Sequence, residues 1–206
     1  MATKDEILTR LLKEENYVSG EELARQTGVS RAAVWKAIKS LKKSGYDIEG
    51  VTKCGYKLKQ NNSLVTAEGV KALLEKDIEV THFDTVDSTN TYCKRLLADG
   101  KQGEFLVTAA KQTAGRGRQG KSFYSPSETG IYFSLVIRPD TSLQNAVTAT
   151  TAAAVAVCKA IEKTTDLKPK IKWVNDVYLN GKKVCGILTE ATTCLLYTSP
   201  SPRDTR

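Results

Sequence analysis

The stretch Ser19–Gly45, SGEELARQTGVSRAAVWKAIKSLKKSG, decides how the first third of this chain folds. Ser19 and Glu22 stand at capping-box spacing, where side chains satisfy the N–H groups left free at a helix start. Leu23, Ala24 and Thr27 continue a short helix, and Gly28 ends it, because a tight interhelical turn favours a residue that tolerates positive φ. Ser30 then caps a third helix, Arg31 to Lys43, with Gly45 at its C-terminal stop. Along that helix Ala33, Val34, Ala37, Ile38 and Leu41 form an apolar stripe, while Arg31, Ala32, Trp35, Lys36, Lys39, Lys42 and Lys43 lie off it. A short helix, a glycine turn and a basic helix make a helix-turn-helix, whose second helix reaches base edges and whose lysines meet phosphates.

Upstream, Thr3-Lys-Asp-Glu6 is a second capping box, followed by Ile7, Leu8, Leu11 and Leu12 at helical spacing. Downstream, Tyr46–Glu49 and Gly55–Lys59 are expected to pair as strands around a loop holding Lys53, which is a wing. Ser30, Arg31, Ala32, Trp35, Lys36, Lys39 and Lys53 are the candidate DNA-binding residues. A three-helix domain used only for dimerisation is the alternative. Residues 1–60 are expected to be one domain, with the polar run Asn61-Asn62-Ser63 inside a linker at 61–65.

Composition agrees with a nucleic-acid partner without requiring one. The 206 residues are 40% hydrophobic and 26% charged, which excludes a disordered or collagen-like chain. The net charge is +8, and residues 1–65 carry half of it, with 12 Lys/Arg against 8 Asp/Glu. The apolar run around Thr148–Cys158 is too short to span a bilayer, and MATKDEILTR does not read as a signal peptide. No membrane partner and a cytoplasmic location are expected. The 5 cysteines and 1 histidine offer no zinc spacing and read as reduced thiols.

Residues 66–190 read as a mixed α/β domain. Thr66 caps a helix through Val70, Leu73 and Leu74. Strands are expected at Ile78–Phe83, Phe105–Ala110, Ile131–Ile137, Ile171–Val174 and Val177–Leu179. Helices are expected at Thr91–Ala98 and at Leu143–Thr164, the second small-sided enough to pack closely on a sheet. Asn180-Gly181 is a two-residue hairpin turn that returns the chain through Lys183 to Leu188.

Three constellations carry possible chemistry. Ser88-Thr89-Asn90 follows a strand and opens a helix, where hydroxyls, an amide and free N–H groups suit a polar head group or carboxylate. Plain helix capping uses the same residues. Gln112 to Gly120, QTAGRGRQG, combines glycines that let backbone approach a ligand with Arg116 and Arg118, which can clamp phosphate or carboxylate oxygens. It matches neither a GxxxxGK[ST] loop nor a dinucleotide fingerprint, and a flexible basic loop is the alternative. In Lys172-Trp-Val-Asn175-Asp176, the Asn-Asp pair can hold a hydrated Mg²⁺ and phosphate oxygens. Lys183 can aim a cation at developing negative charge. Turn chemistry and an exposed strand lysine are the competing explanations. No serine or cysteine nucleophile with a base partner is legible, so transfer between bound substrates fits better than covalent catalysis.

The SGEELARQTGVSRAAVWKAIKSL stretch, DSTN at 87–90, KQTAGRGRQG at 111–120 and KWVNDVYLNGKKVCGIL at 172–188 together resemble the bacterial bifunctional biotin–protein ligases, which are also biotin-operon repressors. The resemblance runs from residue 1 to about 190, in the family's order. It implies an α+β chain, a winged helix-turn-helix followed by a mixed-sheet catalytic domain over 66–190 of the biotin/lipoate ligase type. It implies that biotin and MgATP form biotinyl-5′-adenylate, and that the biotinyl group passes to a lysine of a carboxylase's biotin carboxyl carrier domain. No tightly bound cofactor is implied. Ser88, Thr89, Asn90, Gln112, Arg116, Gly117, Arg118 and Lys183 match positions that bind biotin or its adenylate. Asn175 and Asp176 match the nucleotide and metal side, with Asp176 a candidate Mg²⁺ ligand. Arg118 and Lys183 are the candidate catalytic groups. A homodimer formed when the adenylate is bound would place two winged helices on a palindromic operator.

After Glu190 the sequence departs from the family pattern. Residues 191–206 hold two prolines and no strand pattern, and read as a non-native, disordered tail on a catalytic domain incomplete at its C-terminus. Weak or no adenylate synthesis and poor solubility are expected of this chain. A non-enzymatic winged-helix ligand sensor and a lipoate-type ligase are the other functional classes compatible with the pattern.

Overall fold

The computed structural model describes residues 3–59, 65–127, 129–138 and 146–191, which fall into two compact units. Residues 3–115 and 123–138 belong to the first, residues 116–122 and 146–191 to the second. The expected linker at 61–65 lies almost wholly outside the described residues, as do the expected helix start at Leu143, Cys194 and nearly all of the tail.

The first unit opens with three helices, α1 (Thr3–Lys13), α2 (Gly20–Thr27) and α3 (Arg31–Lys43). Thr3, expected ahead of α1 as its cap, is already its first residue, and Asp5 and Glu6 in the first turn complement the helix dipole instead. Ser19 does cap α2, its Oγ accepting from Glu22 N at 3.0 Å. The second half of the capping box is not made: the Glu22 carboxylate accepts from Arg25 at 2.7 Å and 2.9 Å and from Gln26. Gly28 closes α2 in the left-handed region at φ 66°. Ser30 Oγ accepts from Ala33 N at 3.2 Å and starts α3.

Strands β1 (Ile48–Val51) and β2 (Gly55–Leu58) pair antiparallel as the expected wing. A single bridge from Val18 widens this hairpin, with Val18 N donating to Tyr56 O at 2.9 Å and Tyr56 N returning to Val18 O at 2.8 Å. Ile7, Leu8, Leu11, Leu23, Val34, Ile38 and Leu41 are buried beneath the three helices with Tyr46, Ile48 and Leu58. The apolar stripe read from the sequence is therefore the face that closes this core.

Helix α4 (Ala67–Leu73) is capped by Thr66, which accepts from Gly69 N at 3.0 Å. Its end is less buried than the pattern suggests, since Leu73 and Leu74 are exposed. Tyr46 OH bonds Thr66 Oγ1, and Lys4 reaches Glu68 at 3.4 Å, so α4 docks on α1 and on Tyr46, which follows α3. Strands β3 (Glu79–Phe83), β4 (Phe105–Ala109) and β5 (Tyr132–Val136) form a sheet in that order, β3 parallel to β4 and β5 antiparallel to it. This is the mixed sheet expected. Helix α5 (Thr89–Ala98) packs on it through Cys93, Leu96 and Leu97 against Phe105 and Val107. Every residue of β4 is buried, as a continuous apolar run predicts for a central strand.

In the second unit, helix α6 (Ala146–Thr164) packs on a three-stranded antiparallel meander. Its strands are β6 (Lys170–Lys172), β7 (Asp176–Leu179) and β8 (Lys182–Gly186). Val174 was expected to end the first of these strands. It lies instead in the turn Trp173–Asn175, because Lys172 pairs directly with Asp176 and the three residues between them must form the connection. Asn180 (φ 49°) and Gly181 (φ 77°) make the β7–β8 turn with both residues left-handed, as Asn-Gly predicts. Among the described residues no helix is long and apolar enough to cross a membrane.

Candidate functional site

The candidate residues gather into three groups, each held by local structure that the sequence explains. The first is the outer face of the winged helix. With Val34, Ala37, Ile38 and Leu41 turned into the core, helical geometry leaves Arg31, Ala32, Trp35, Lys36 and Lys39 exposed, with Ser30 exposed at the cap. Trp35 is 54% exposed, and Lys39 Nζ stands 5.1 Å from its ring centroid. Lys53 is exposed at the wing turn with φ 69°. The surface combines cations for phosphates with an indole and a small Ala32 that can face base edges.

The second group lies in the first unit, where the loop after β4 meets the start of α5. Ser88 caps α5 and is buried, its Oγ accepting from Thr91 N at 3.4 Å. Gln112 Oε1 accepts from Thr89 N at 2.9 Å and from Thr89 Oγ1 at 3.2 Å. The N–H groups expected to be free at this helix start are thus partly committed inside the protein. Gln112 Nε2 donates to Ser125 Oγ at 2.9 Å, and Ser125 Oγ donates to Phe123 O at 3.0 Å. Ser134 Oγ of β5 lies 2.8 Å from Thr89 Oγ1 and also within hydrogen-bond reach of Asn90 Oδ1, with one proton to give to either. Ser88, Thr89, Asn90 and Gln112 are therefore brought together, joined by Ser125 and Ser134, which sequence reasoning missed. Ser134 left one signal, a lone small polar residue at the centre of the run Ile131–Ile137.

Just ahead of this group, Asp87 accepts from Arg95 at 2.7 Å and 3.0 Å, and from Ser88 N at 2.8 Å. The Arg95 guanidinium, and then the Ser88 amide, hold the Asp87 carboxyl below its ordinary range. The loop is stapled here by backbone bonds from Thr113 N to Val86 O (2.9 Å) and from Ala114 N to Asp87 O (2.8 Å).

The third group lies in the second unit and is a linked row of polar side chains. Arg118 Nη1 donates to Asn175 Oδ1 at 2.8 Å. Asn175 Nδ2 donates to Asp176 Oδ1 at 3.0 Å, and Lys183 Nζ sits 2.7 Å from the same oxygen. Arg116 stands 3.7 Å from Glu190. Register explains the row: β7 and β8 are adjacent, and a bulge at Val177/Tyr178 sets Lys183 opposite Tyr178. Asn175 is fixed by Ile187 N donating to its carbonyl at 2.8 Å. Gly117 N donates to Lys121 O at 2.7 Å, closing a short 3₁₀ turn, Arg118–Gly120, that presents Arg118. Arg118 faces a neutral amide, so its charge is not offset there, whereas Lys183 is neutralised by Asp176.

Among the described residues no three His, Cys, Asp or Glu side chains are grouped to hold a metal ion. Asp176, the candidate Mg²⁺ ligand, is bonded to an ammonium and an amide donor. That environment repels a resident cation and does not fit one.

Comparisons with known proteins match two different stretches of the chain to two different families. The family model for the biotin/lipoate A/B protein ligase family matches residues 82–196, more than half of the chain, and an HTH domain matches residues 3–57. The chain is 38% identical over 177 residues to the bifunctional ligase/repressor BirA of Bacillus subtilis, covering 84% of this chain and 54% of that protein. It is 32% identical over 185 residues to the BirA of Escherichia coli, covering 90% and 57%. The chain thus spans about half the length of the curated relatives it matches. A solved biotin protein ligase from Aquifex aeolicus, in complex with biotin and ATP, is 33% identical, with a TM-score of 0.46 over 55% of this chain and 47% of that one.

Proposed function

This chain belongs to the biotin/lipoate A/B protein ligase family, and from that membership we propose that it activates biotin with ATP and also binds DNA as a biotin-responsive repressor. The biotin carboxylate oxygen attacks the α-phosphorus of ATP. The bond to the bridging oxygen breaks, pyrophosphate leaves with the electron pair, and biotinyl-5′-adenylate remains. A lysine amine of a biotin carboxyl carrier domain then attacks the adenylate carbonyl. An amide forms, AMP leaves, and the amine gives up its proton.

The observation that most supports this reading is the row Arg118–Asn175–Asp176–Lys183. A phosphate reaching it meets Lys183 held by Asp176 in a defined place, so little reorganisation is needed to stabilise the charge of either step. Arg118, on a short turn between glycines, is assigned to retaining the adenylate by closure of its loop, which also excludes water from a hydrolysable anhydride. Arg116, Gly117 and Asn175 complete the phosphate side. Ser88, Thr89, Asn90 and Gln112 are assigned to the biotin side. Mg²⁺ would enter as part of the MgATP substrate and neutralise phosphate charge there.

The winged helix over residues 1–60, joined at 61–65 to a catalytic domain from 66, is assigned to operator DNA. Arg31, Lys36, Lys39 and Lys53 meet phosphates, and Ser30, Ala32 and Trp35 face bases. A dimer of adenylate-bound chains on a palindrome, acting in the cytoplasm, completes the proposal. The test is biotin-dependent exchange of labelled pyrophosphate into ATP by the 206-residue chain, with lipoate as the control acid. Slow exchange that needs biotin and not lipoate supports the reading. Exchange driven equally by lipoate, or exchange that proceeds without biotin, overturns it.

A further inference from the structure

Gln112 is held by more than its place in the loop. Its backbone N donates to Ser125 O at 3.1 Å, and its side-chain Nε2 donates to Ser125 Oγ at 2.9 Å. Ser125 is 3% exposed, and its own hydroxyl proton goes to Phe123 O at 3.0 Å. That commitment leaves the Ser125 oxygen as an acceptor toward Gln112. At the other end of the amide, Thr89 N can only donate, and it donates to Oε1 at 2.9 Å. Both ends therefore demand the same orientation, NH₂ toward Ser125 and carbonyl toward α5. Gly115 makes the arrangement possible. A Cβ there would stand 2.3 Å from Phe123 O, 2.7 Å from Ser125 Oγ and 3.2 Å from Gln112 Nε2, so any side chain would push the serine and the amide apart.

We propose that Ser125 is a positioning residue for biotin binding: it fixes the flip and reach of the Gln112 amide and, through Gln112, the Thr89 hydroxyl. The inference rests on the biotin-side assignment of Gln112 above. Without the serine hydroxyl the amide keeps one anchor instead of two, and a buried amide hydrogen loses its partner. Removing a partner from a buried hydrogen bond costs enough to weaken a dependent affinity roughly tenfold. Ser125→Thr keeps the hydroxyl and recovers most of the affinity.

The experiment is isothermal titration of biotin into the full 206-residue chain, its Ser125→Ala, Ser125→Thr and Gln112→Ala variants, and the Ser125→Ala/Gln112→Ala double variant, with melting curves for each. Ser125→Ala is expected to weaken biotin binding roughly tenfold. The double variant should bind no more weakly than Gln112→Ala alone, since a residue acting only through Gln112 has nothing left to position. Additive losses, a Ser125→Ala chain that binds like the parent, or one that no longer folds would each overturn the inference. A Ser125→Thr variant as weak as Ser125→Ala would do the same. If the parent chain itself takes up no biotin, the functional reading fails and carries this inference with it. If the parent binds and the cycle is additive, only the role of Ser125 fails.

Discussion

Replacing Gly55 by alanine should disable the wing, while the same change at Gly50, five residues earlier in the same hairpin, should be nearly silent. Gly55 has φ +110°, and a Cβ there would stand 2.1 Å from Val18 O, 2.5 Å from Val18 C and 2.6 Å from Ser19 Cα. Those are backbone atoms at the start of α2 and cannot swing aside. Relief requires β2 to move off Val18, which breaks the reciprocal Val18–Tyr56 bonds of 2.9 Å and 2.8 Å. Two such bonds are worth about 1 kcal/mol each, and an alanine at that φ adds roughly 1–3 kcal/mol of strain. The sum, about 3–5 kcal/mol, is a large share of the ~5–15 kcal/mol that holds a domain together. At Gly50 the added Cβ meets only the Tyr56 ring at 3.4 Å, an ordinary contact. That change should stay within about 0.5 kcal/mol. Urea unfolding followed by circular dichroism reads the difference directly. With a slope of ~2 kcal/mol per molar, Gly55→Ala should lower the midpoint of the winged-helix transition by about 2 M. Its affinity for duplex DNA should fall as well, because Lys53 rides on the displaced turn. Equal midpoints for the two variants, or a larger loss at Gly50, would refute the close packing of β2 on Val18.

Other expectations follow from the same geometry. Lys36→Ala and Lys39→Ala should each flatten the salt dependence of duplex binding by roughly 0.9 in log–log slope while leaving biotin affinity intact, and an unaltered slope in both would show that these lysines meet only solvent. Lys183→Ala should slow pyrophosphate exchange by roughly 10²–10³, the usual cost of one preorganised charge. Its unfolding midpoint should barely move, because the ion pair with Asp176 is partly exposed and such pairs contribute about 0–1 kcal/mol; normal exchange would remove Lys183 from the reaction. Arg118→Gly should release the adenylate, read as labelling of bystander lysines by biotin, and strict retention would contradict the closing role of its loop. Burial pushes the Cys93 thiol up to about 11. Stability held by the neutral thiol is therefore full below the unfolded cysteine's range near 8.5 and is lost as pH rises toward 11. Cys93→Ala should flatten that decline, and parallel curves for the two proteins would count against it.

The winged helix was the most legible part because each of its signals is local. Ser19, Gly28 and Ser30 act on backbone within three or four residues of themselves, and the stripe through Val34, Ile38 and Leu41 follows from helical period alone. Thr3 shows the limit of such signals, since a cap sequence does not say on which residue the helix begins. Strand positions in 66–190 were legible where a turn residue pinned them, as at Asn180-Gly181. They slipped where no such residue stood: Val174 passed for strand because β-branched residues look alike in a strand and in the turn beside it. The candidate clusters were legible as separate motifs, but not as bonded networks. That Gln112 meets Thr89 and that Asp176 neutralises Lys183 depends on pairings across 23 and 7 positions, fixed by β3–β4 and β7–β8 registry. Ser125 was invisible for the same reason: its importance comes from the amide facing it, and a serine before a proline in a loop carries no periodic signature.

The account turns on whether the polar cluster around Gln112 takes biotin, and parallel titrations of biotin and lipoate into the 206-residue chain test this most directly. The account predicts saturable one-site heat with biotin that is reduced in Gln112→Ala, and none with lipoate. Equal heats for the two acids, or a biotin isotherm untouched by Gln112→Ala, would contradict it.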